Sequence, residues 1–241
     1  HKRNRMSRAR HERQKSANRF IALHGLFIVL ADLPGKCDCF KKIKAEKMSV
    51  NILICGIGGQ GTVLAAKLLD QAALLCGLTV HSAETIGMAQ RGGSVVSHVR
   101  IGENCWSPLI PLGQADMIIS FEMTEAVRNI QYLKRGGTIV VNKKITVSSA
   151  CAGKENSADE NSLLEFLNKN CGSVCVVDSE KICCELGTSK VVNTILLGAA
   201  ASRGINGISI EKIKEALKTT VKPALVEINI KALEKGFGGK I

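Results

Sequence analysis

Residues 50–62 read Val-Asn-Ile-Leu-Ile-Cys-Gly-Ile-Gly-Gly-Gln-Gly-Thr, and this stretch decides the fold. The apolar run over 50–56 suits a strand covered on both faces. It enters a glycine-rich turn, after which Leu64, Ala65, Leu68, Leu69, Ala72 and Leu75 recur at helical spacing. Gly56, Gly58 and Gly61 spell G-x-G-x-x-G between strand and helix, the context that motif requires. Glycine admits positive φ and close approach of a ligand, and the unpaired N–H groups that open a helix favour an anion. Glu84, 23 residues past Gly61, stands near where a ribose-binding acid follows such a turn. Gly56, Gly58, Gly59, Gln60, Gly61, Thr62 and Glu84 are therefore candidate cofactor-binding residues. The same glycines also serve a tight strand-to-helix turn with close helix packing and no ligand.

Outward from this turn, a second strand is predicted over 78–84 and a third over 95–101. Between them lies a second glycine turn, Gln90-Arg91-Gly92-Gly93-Ser94. A nicotinamide-binding unit would run from its second strand into a helix and has no need of this turn. Further on, the pattern predicts a strand over 117–121, a helix over 124–133, a turn at Gly136-Gly137 and a strand over 138–142. Residues 146–161, rich in Ser, Ala, Asn and Lys, read as an exposed loop. A helix (162–168), a strand (173–178) and helices over 179–186, 191–201, 209–217 and 226–233 complete the chain. Gly198, Ala199, Ala200 and Ala201 permit close helix packing, Ser209 opens a helix, and Lys222-Pro223 restarts the chain. Strands joined by helical crossovers predict an α/β domain. Its sheet is mostly parallel with helices on both faces, its first βαβ unit Rossmann-like and its last third helical. No internal repeat is present.

The formal charge of +12 is unevenly spread. Residues 1–47 hold 13 Lys and Arg against 4 Asp and Glu, a net +9, which leaves +3 for residues 48–241. With so little excess charge, one Trp and one Tyr, the domain lacks the means to neutralise a nucleic-acid backbone or stack its bases. Residues 1–47 are expected to form a separate basic extension, disordered or non-native, and 48–241 a single domain, with Met48 as the natural start. Three readings of the extension stand: an upstream translated artefact, which is favoured; an export signal; or a basic arm that docks on an acidic surface. Its apolar run is too short to span a bilayer, so no membrane partner is expected. The ten cysteines contain no C-x-x-C, which disfavours iron–sulfur and zinc sites, so no metal is expected in this chain.

An ordered set of motifs resembles the gamma-type subunits of the 2-oxoacid:ferredoxin oxidoreductases, and within that family the indolepyruvate branch. The set begins with 51–61 and Gly87-Met88-Ala89-Gln90-Arg91-Gly92-Gly93. It continues with Ser107-Pro108-Leu109-Ile110-Pro111, Ala115-Asp116, Glu122, Glu125-Ala126, Gly136-Gly137-Thr138 and Val141-Asn142. Asn193, Leu197-Gly198-Ala199 and Asn229 close it, so the resemblance spans 48–241. It implies a cytoplasmic two-subunit enzyme that converts aryl pyruvates to arylacetyl-CoA, CO2 and reduced ferredoxin. It further implies that thiamine diphosphate and the iron–sulfur clusters belong to a large (alpha) subunit, and that this chain helps hold coenzyme A as co-substrate. Gln90, Gly92, Gly93 and Ser94 join the cofactor-binding candidates. Arg91, the sole guanidinium beside a paired-glycine turn, is the candidate that faces the partner's active site and grips an anionic group in a planar, two-pronged fashion.

No catalytic constellation stands in the chain itself. His81 and His98 lie on predicted strands, where a satisfied structural role is the ordinary one. Glu122 and Glu125 open a helix, where the dipole accounts for them. Glu84 and Asp116 are placed near strand ends or loop entrances, where a lone carboxylate caps a turn about as often as it binds a ligand. Two other functional classes stay open on the residues alone: a free-standing NAD(P)-binding oxidoreductase or sensor domain, and a non-catalytic interaction module.

Overall fold

The computed structural model describes residues 20–23, 26–29, 49–86, 93–102, 107–145, 159–205 and 207–239. The chain divides into two compact units, His1–Lys42 and Ile43–Ile241. In the first, β1 (Phe20–Leu23) and β2 (Leu26–Val29) form an antiparallel pair with Phe20 opposite Val29.

The second unit is assembled from β3 (Val50–Ile57), α1 (Thr62–Leu75), β4 (Val80–Ile86), β5 (Ser94–Ile101), β6 (Ala115–Ser120), α2 (Met123–Asn129) and β7 (Leu133–Asn142). There follow α3 (Glu160–Asn170), β8 (Ser173–Val177), α4 (Ser179–Leu186), α5 (Val192–Ser202), α6 (Ile210–Thr220) and α7 (Pro223–Gly238). Its strands lie in one sheet in the order β4-β5-β3-β6-β7-β8. The pairs β3–β6, β6–β7 and β7–β8 are parallel, whereas β5 is antiparallel to both β3 and β4. The mostly parallel sheet expected from the pattern is present, with one difference in its first unit. The β3–α1–β4 crossover returns to a strand that runs with β3 but is separated from it by β5.

Successive strand residues point to opposite faces, which divides the core in two. Ile52 and Ile54 face Leu68, Leu69, Ile195, Leu197, Leu217 and Leu233, so α1 and α5–α7 cover one side. Leu53 and Cys55 face Met123, Ala126, Leu163 and Leu167, so α2 and α3 cover the other. Both faces are therefore dry, and the uninterrupted apolar run of β3 follows from that.

The helix expected over 124–133 ends early. After α2 comes one 3-10 turn, Ile130–Tyr132, and β7 has begun by Leu133. Gly136 and Gly137 consequently lie inside β7 rather than in a turn before it. The register against β6 jumps there from Ala115↔Leu133 to Met117↔Thr138. The glycines admit a close neighbour, since a Cβ on Gly172 would stand 2.5 Å from the backbone of Gly136. The C-terminal helices fall where the pattern puts them, but the last, expected over 226–233, extends from Pro223 to Gly238, with Pro223 at its start, where its missing N–H is no loss. Gly198 and Gly236 let α5 and α7 meet at backbone distance. A Cβ would lie 2.2 Å from Leu233 O at the first and 2.1 Å from Ile195 O at the second.

Candidate functional site

The glycine turn sits where β3 meets α1, at the carboxyl end of the parallel strands, where open α/β sheets place ligands. The Gln60 N–H donates to Ile57 O at 3.1 Å and closes the turn. Gly59 (φ 101°) and Gly61 (φ 91°) adopt left-handed backbone that a side chain would strain. Gly59 is exposed, and among the described residues a Cβ there would meet nothing within 4 Å, so they leave the outer side of the turn open. Gly56 is the opposite case. A Cβ there would press within 2.8 Å of Gln60 Oε1 and 2.9 Å of Phe121 Cβ, with the Cγ2 of buried Thr62 at 3.0 Å. Gly61 is the N-cap of α1, with the Asn193 side chain behind it; no side chain caps the helix and no acid lies in its first turn. An uncapped helix start next to the open side of the turn at Gly59 can receive an anion.

Of the second turn, Gln90, Arg91 and Gly92 lie outside the described residues. Gly93 and Ser94 are brought to the first turn: the Gly58 N–H donates to Gly93 O at 2.9 Å. Two buried carboxylates underlie this junction. Glu122, at the β6–α2 corner, accepts from Gln60 Nε2 at 2.9 Å. Glu125, one turn later, accepts from Ser94 Oγ at 2.5 Å, and its other oxygen pairs with exposed Arg128. The dipole reading of these acids accounts for their place on α2 but not for their burial. Acids that follow directly on the apolar run 117–121 were the available signal.

The remaining candidates stand apart. Glu84 lies exposed on β4, with β5 between it and β3, which sets its strand roughly 10 Å from β3 across the sheet. Asp116 opens β6 at the end of the sheet away from the turn. There it accepts the Asn51 N–H at 2.7 Å and pairs with Lys134, a structural tie rather than a ligand site. His98 is buried, its Nδ1 accepts the Ile110 N–H at 3.2 Å, and Tyr132 meets its ring edge-on at 5.6 Å. Burial pushes its pKa down, in keeping with a satisfied structural histidine. The Cys55 thiol is pushed up to about 12 by burial and donates to Ser120 Oγ at 3.3 Å, so it is an inert packing group. Among the described residues no group of three or more His, Cys, Asp or Glu is placed to hold a metal ion. A separate cleft of about 920 Å³ opens at the carboxyl ends of β7 and β8, between α4 and α7, and is lined by both lysines (Lys181, Lys231, Lys235) and acids (Asp178, Glu185, Glu234).

Comparison with known proteins follows the same outline. Residues 51–238 match the model of the pyruvate ferredoxin/flavodoxin oxidoreductase family. The chain is similar to indolepyruvate oxidoreductase subunit IorB of Thermococcus kodakarensis, 38% identical over 190 residues, covering 77% of this chain and 93% of that one. It is also similar to the subunit of the same name from Archaeoglobus fulgidus, 36% identical over 195 residues, covering 80% and 96%. Among solved structures, a pyruvate oxidoreductase subunit from Thermotoga maritima superposes with a TM-score of 0.60 at 25% identity, covering 79% of this chain and 96% of that one.

Proposed function

The chain belongs to the pyruvate ferredoxin/flavodoxin oxidoreductase family, and from that premise we propose that it is the small, gamma-type subunit of an indolepyruvate (aryl pyruvate):ferredoxin oxidoreductase. In this reading the 2-oxoacid loses CO2, its acyl group passes to the thiol of coenzyme A, and two electrons leave singly to ferredoxin. Thiamine diphosphate and iron–sulfur clusters, held by a larger partner subunit, supply the decarboxylation and the electron path. The assembled enzyme works in the cytoplasm; among the described residues no helix is long and apolar enough to cross a membrane.

This chain's own part is to bind and orient coenzyme A. The observation that carries the assignment is the turn of residues 58–61, open on its outer side at Gly59 and followed by an uncapped helix. The Gly58 and Gln60 N–H groups are taken up by Gly93 O and Ile57 O, and those of Gly59, Gly61 and the start of α1 suit the pyrophosphate or 3′-phosphate of the coenzyme. Gly58, Gly59, Gln60, Gly61 and Thr62 form this phosphate site, with Gly93 and Ser94 beside it and Gly56 behind it. Arg91, two residues before Gly93, contacts an anionic group of substrate or coenzyme. A nicotinamide site is not favoured, because β5 holds Glu84 one strand away from the turn.

The test is reconstitution. The full-length chain alone is expected to be colourless and inactive with any 2-oxoacid. Mixed with its large subunit, it should support reduction of ferredoxin that depends on both aryl pyruvate and coenzyme A. NAD(P)-dependent turnover by the chain alone, or an iron–sulfur absorption band from it, would overturn the proposal.

A further inference from the structure

The first glycine turn and the Gly93–Ser94 segment beside it are tied to one short helix by two buried carboxylates, and the polarity of one tie can be read from its chemistry. The Ile57 N–H can only donate, so the Gln60 atom 2.8 Å from it is the amide oxygen. The Gln60 Nε2 must then be the donor toward Glu122, and at 2.9 Å it is. Glu122 is fully buried and held at the β6–α2 corner, where Ser120 Oγ donates to its carbonyl at 2.6 Å. Three residues on, Glu125 takes the Ser94 hydroxyl, and the Gly58 N–H to Gly93 O bond joins that segment to the first turn directly.

We propose that Glu122 and Glu125 are positioning residues: from successive places on the β6–α2 corner they brace the first glycine turn and the Gly93–Ser94 segment beside it, Glu122 acting through Gln60 and Glu125 through Ser94. Neither carboxylate touches substrate. Glu122 thereby fixes residues 57–60 of the first turn, and Glu125 the Gly93–Ser94 segment that accepts from Gly58, before a ligand arrives, which lowers the ordering cost of binding. The inference rests on the assignment of the turn to coenzyme A for its kinetic readout, but the brace itself has a readout of its own.

The pairing predicts a polarity swap. Gln60→Glu sets a carboxylate against that of Glu122, which buried like charges do not tolerate. Glu122→Gln keeps an acceptor for the Gln60 amide and should disturb this tie less than Gln60→Glu does. The double variant Gln60→Glu/Glu122→Gln reverses donor and acceptor and should restore the contact. In the assembled enzyme, Gln60→Glu is expected to raise the apparent KM for coenzyme A about tenfold or more, and the double variant to return it to within about threefold of normal. Hydrogen exchange of the amides of residues 57–62 should follow the same order: faster in Gln60→Glu, restored in the double variant. Exchange and KM unchanged in Gln60→Glu, or a double variant no better than the single, would overturn the brace. Should Gln60→Glu fail to assemble, recovery of assembly in the double variant supports the brace, and failure to recover overturns it. Exchange that follows the pairing while the coenzyme A KM never moves would uphold the brace and overturn the coenzyme assignment.

Discussion

Gly59 and Gly236 sit in one domain, and each is a glycine for a different reason. At the β3–α1 turn, Gly59 has φ 101° and, among the described residues, nothing within 4 Å of where a Cβ would lie. At the α5–α7 crossing, a Cβ on Gly236 would fall 2.1 Å from Ile195 O, and one on Gly198 2.2 Å from Leu233 O. The helix pair spends the missing side chains on contact, with one backbone laid against another. The turn needs its glycine only for conformation and leaves the space beside it unused by the fold. Space that a fold holds open beside uncapped main-chain donors is where a ligand fits. Substitutions should therefore divide by their larger effect, with stability lost most at the crossing and coenzyme binding lost at the turn.

The largest effect is expected at the crossing. Gly198→Ala or Gly236→Ala forces α5 and α7 apart and should cost about 3 kcal/mol or more. That corresponds to a fall in Tm of about 6–12 °C for a domain of this size. Thermal denaturation of the full chain checks it, and a shift under about 2 °C would mean the helices separate freely and the contrast is empty. Next comes Gly56→Ala, which must displace the side chains of Gln60, Phe121 and Thr62 around it. It should cost about 1–3 kcal/mol and weaken coenzyme A binding as well, because Gln60 braces the turn. Gly59→Ala meets only the strain of positive φ, about 1–2 kcal/mol, and denaturant titration should place it below both.

The smallest effect lies at the sheet edge. Burial raises the pKa of Asp70 above its ordinary 3.8, although Ser82 donates to it at 2.8 Å, and its other oxygen is buried without a partner. Between 3.8 and the raised value the folded chain holds the proton more tightly than the unfolded one, so this group's contribution to stability falls as pH rises through that window. Asp70→Asn removes the dependence. It should raise Tm by about 1–2 °C at pH 7 and give no gain below the window, as a pH series of melting curves would show.

The sequence made the β3–α1 turn legible because strand, glycines and helix follow one another within a single local pattern. It made the α5 packing surface legible too, since Gly198 and the alanines after it have no other use in a helix. The direction of β5 was not legible: a buried strand shows the same apolar residues whichever way it runs, and only pairing distinguishes the two. Gly136 and Gly137 misled for a related reason, because glycine marks a kink inside a strand as readily as a turn before it. The brace was hidden because Gln60 and Glu122 are 62 residues apart, and a helix-start acid looks the same whether it faces water or a buried amide. Asp116 looked free until Asn51 was placed beside it, 65 residues away in sequence.

The central claim is that the open turn of residues 58–61 holds the phosphates of coenzyme A. The most direct test is the steady-state kinetics of the assembled enzyme carrying Gly59→Val, with coenzyme A and the 2-oxoacid varied in turn. The account predicts an apparent KM for coenzyme A raised about tenfold or more, with the KM for the 2-oxoacid within about twofold of normal, because both the branched side chain and the strain of positive φ fall on the turn that would hold the phosphate. A folded, assembled Gly59→Val enzyme with an unchanged KM for coenzyme A would contradict it.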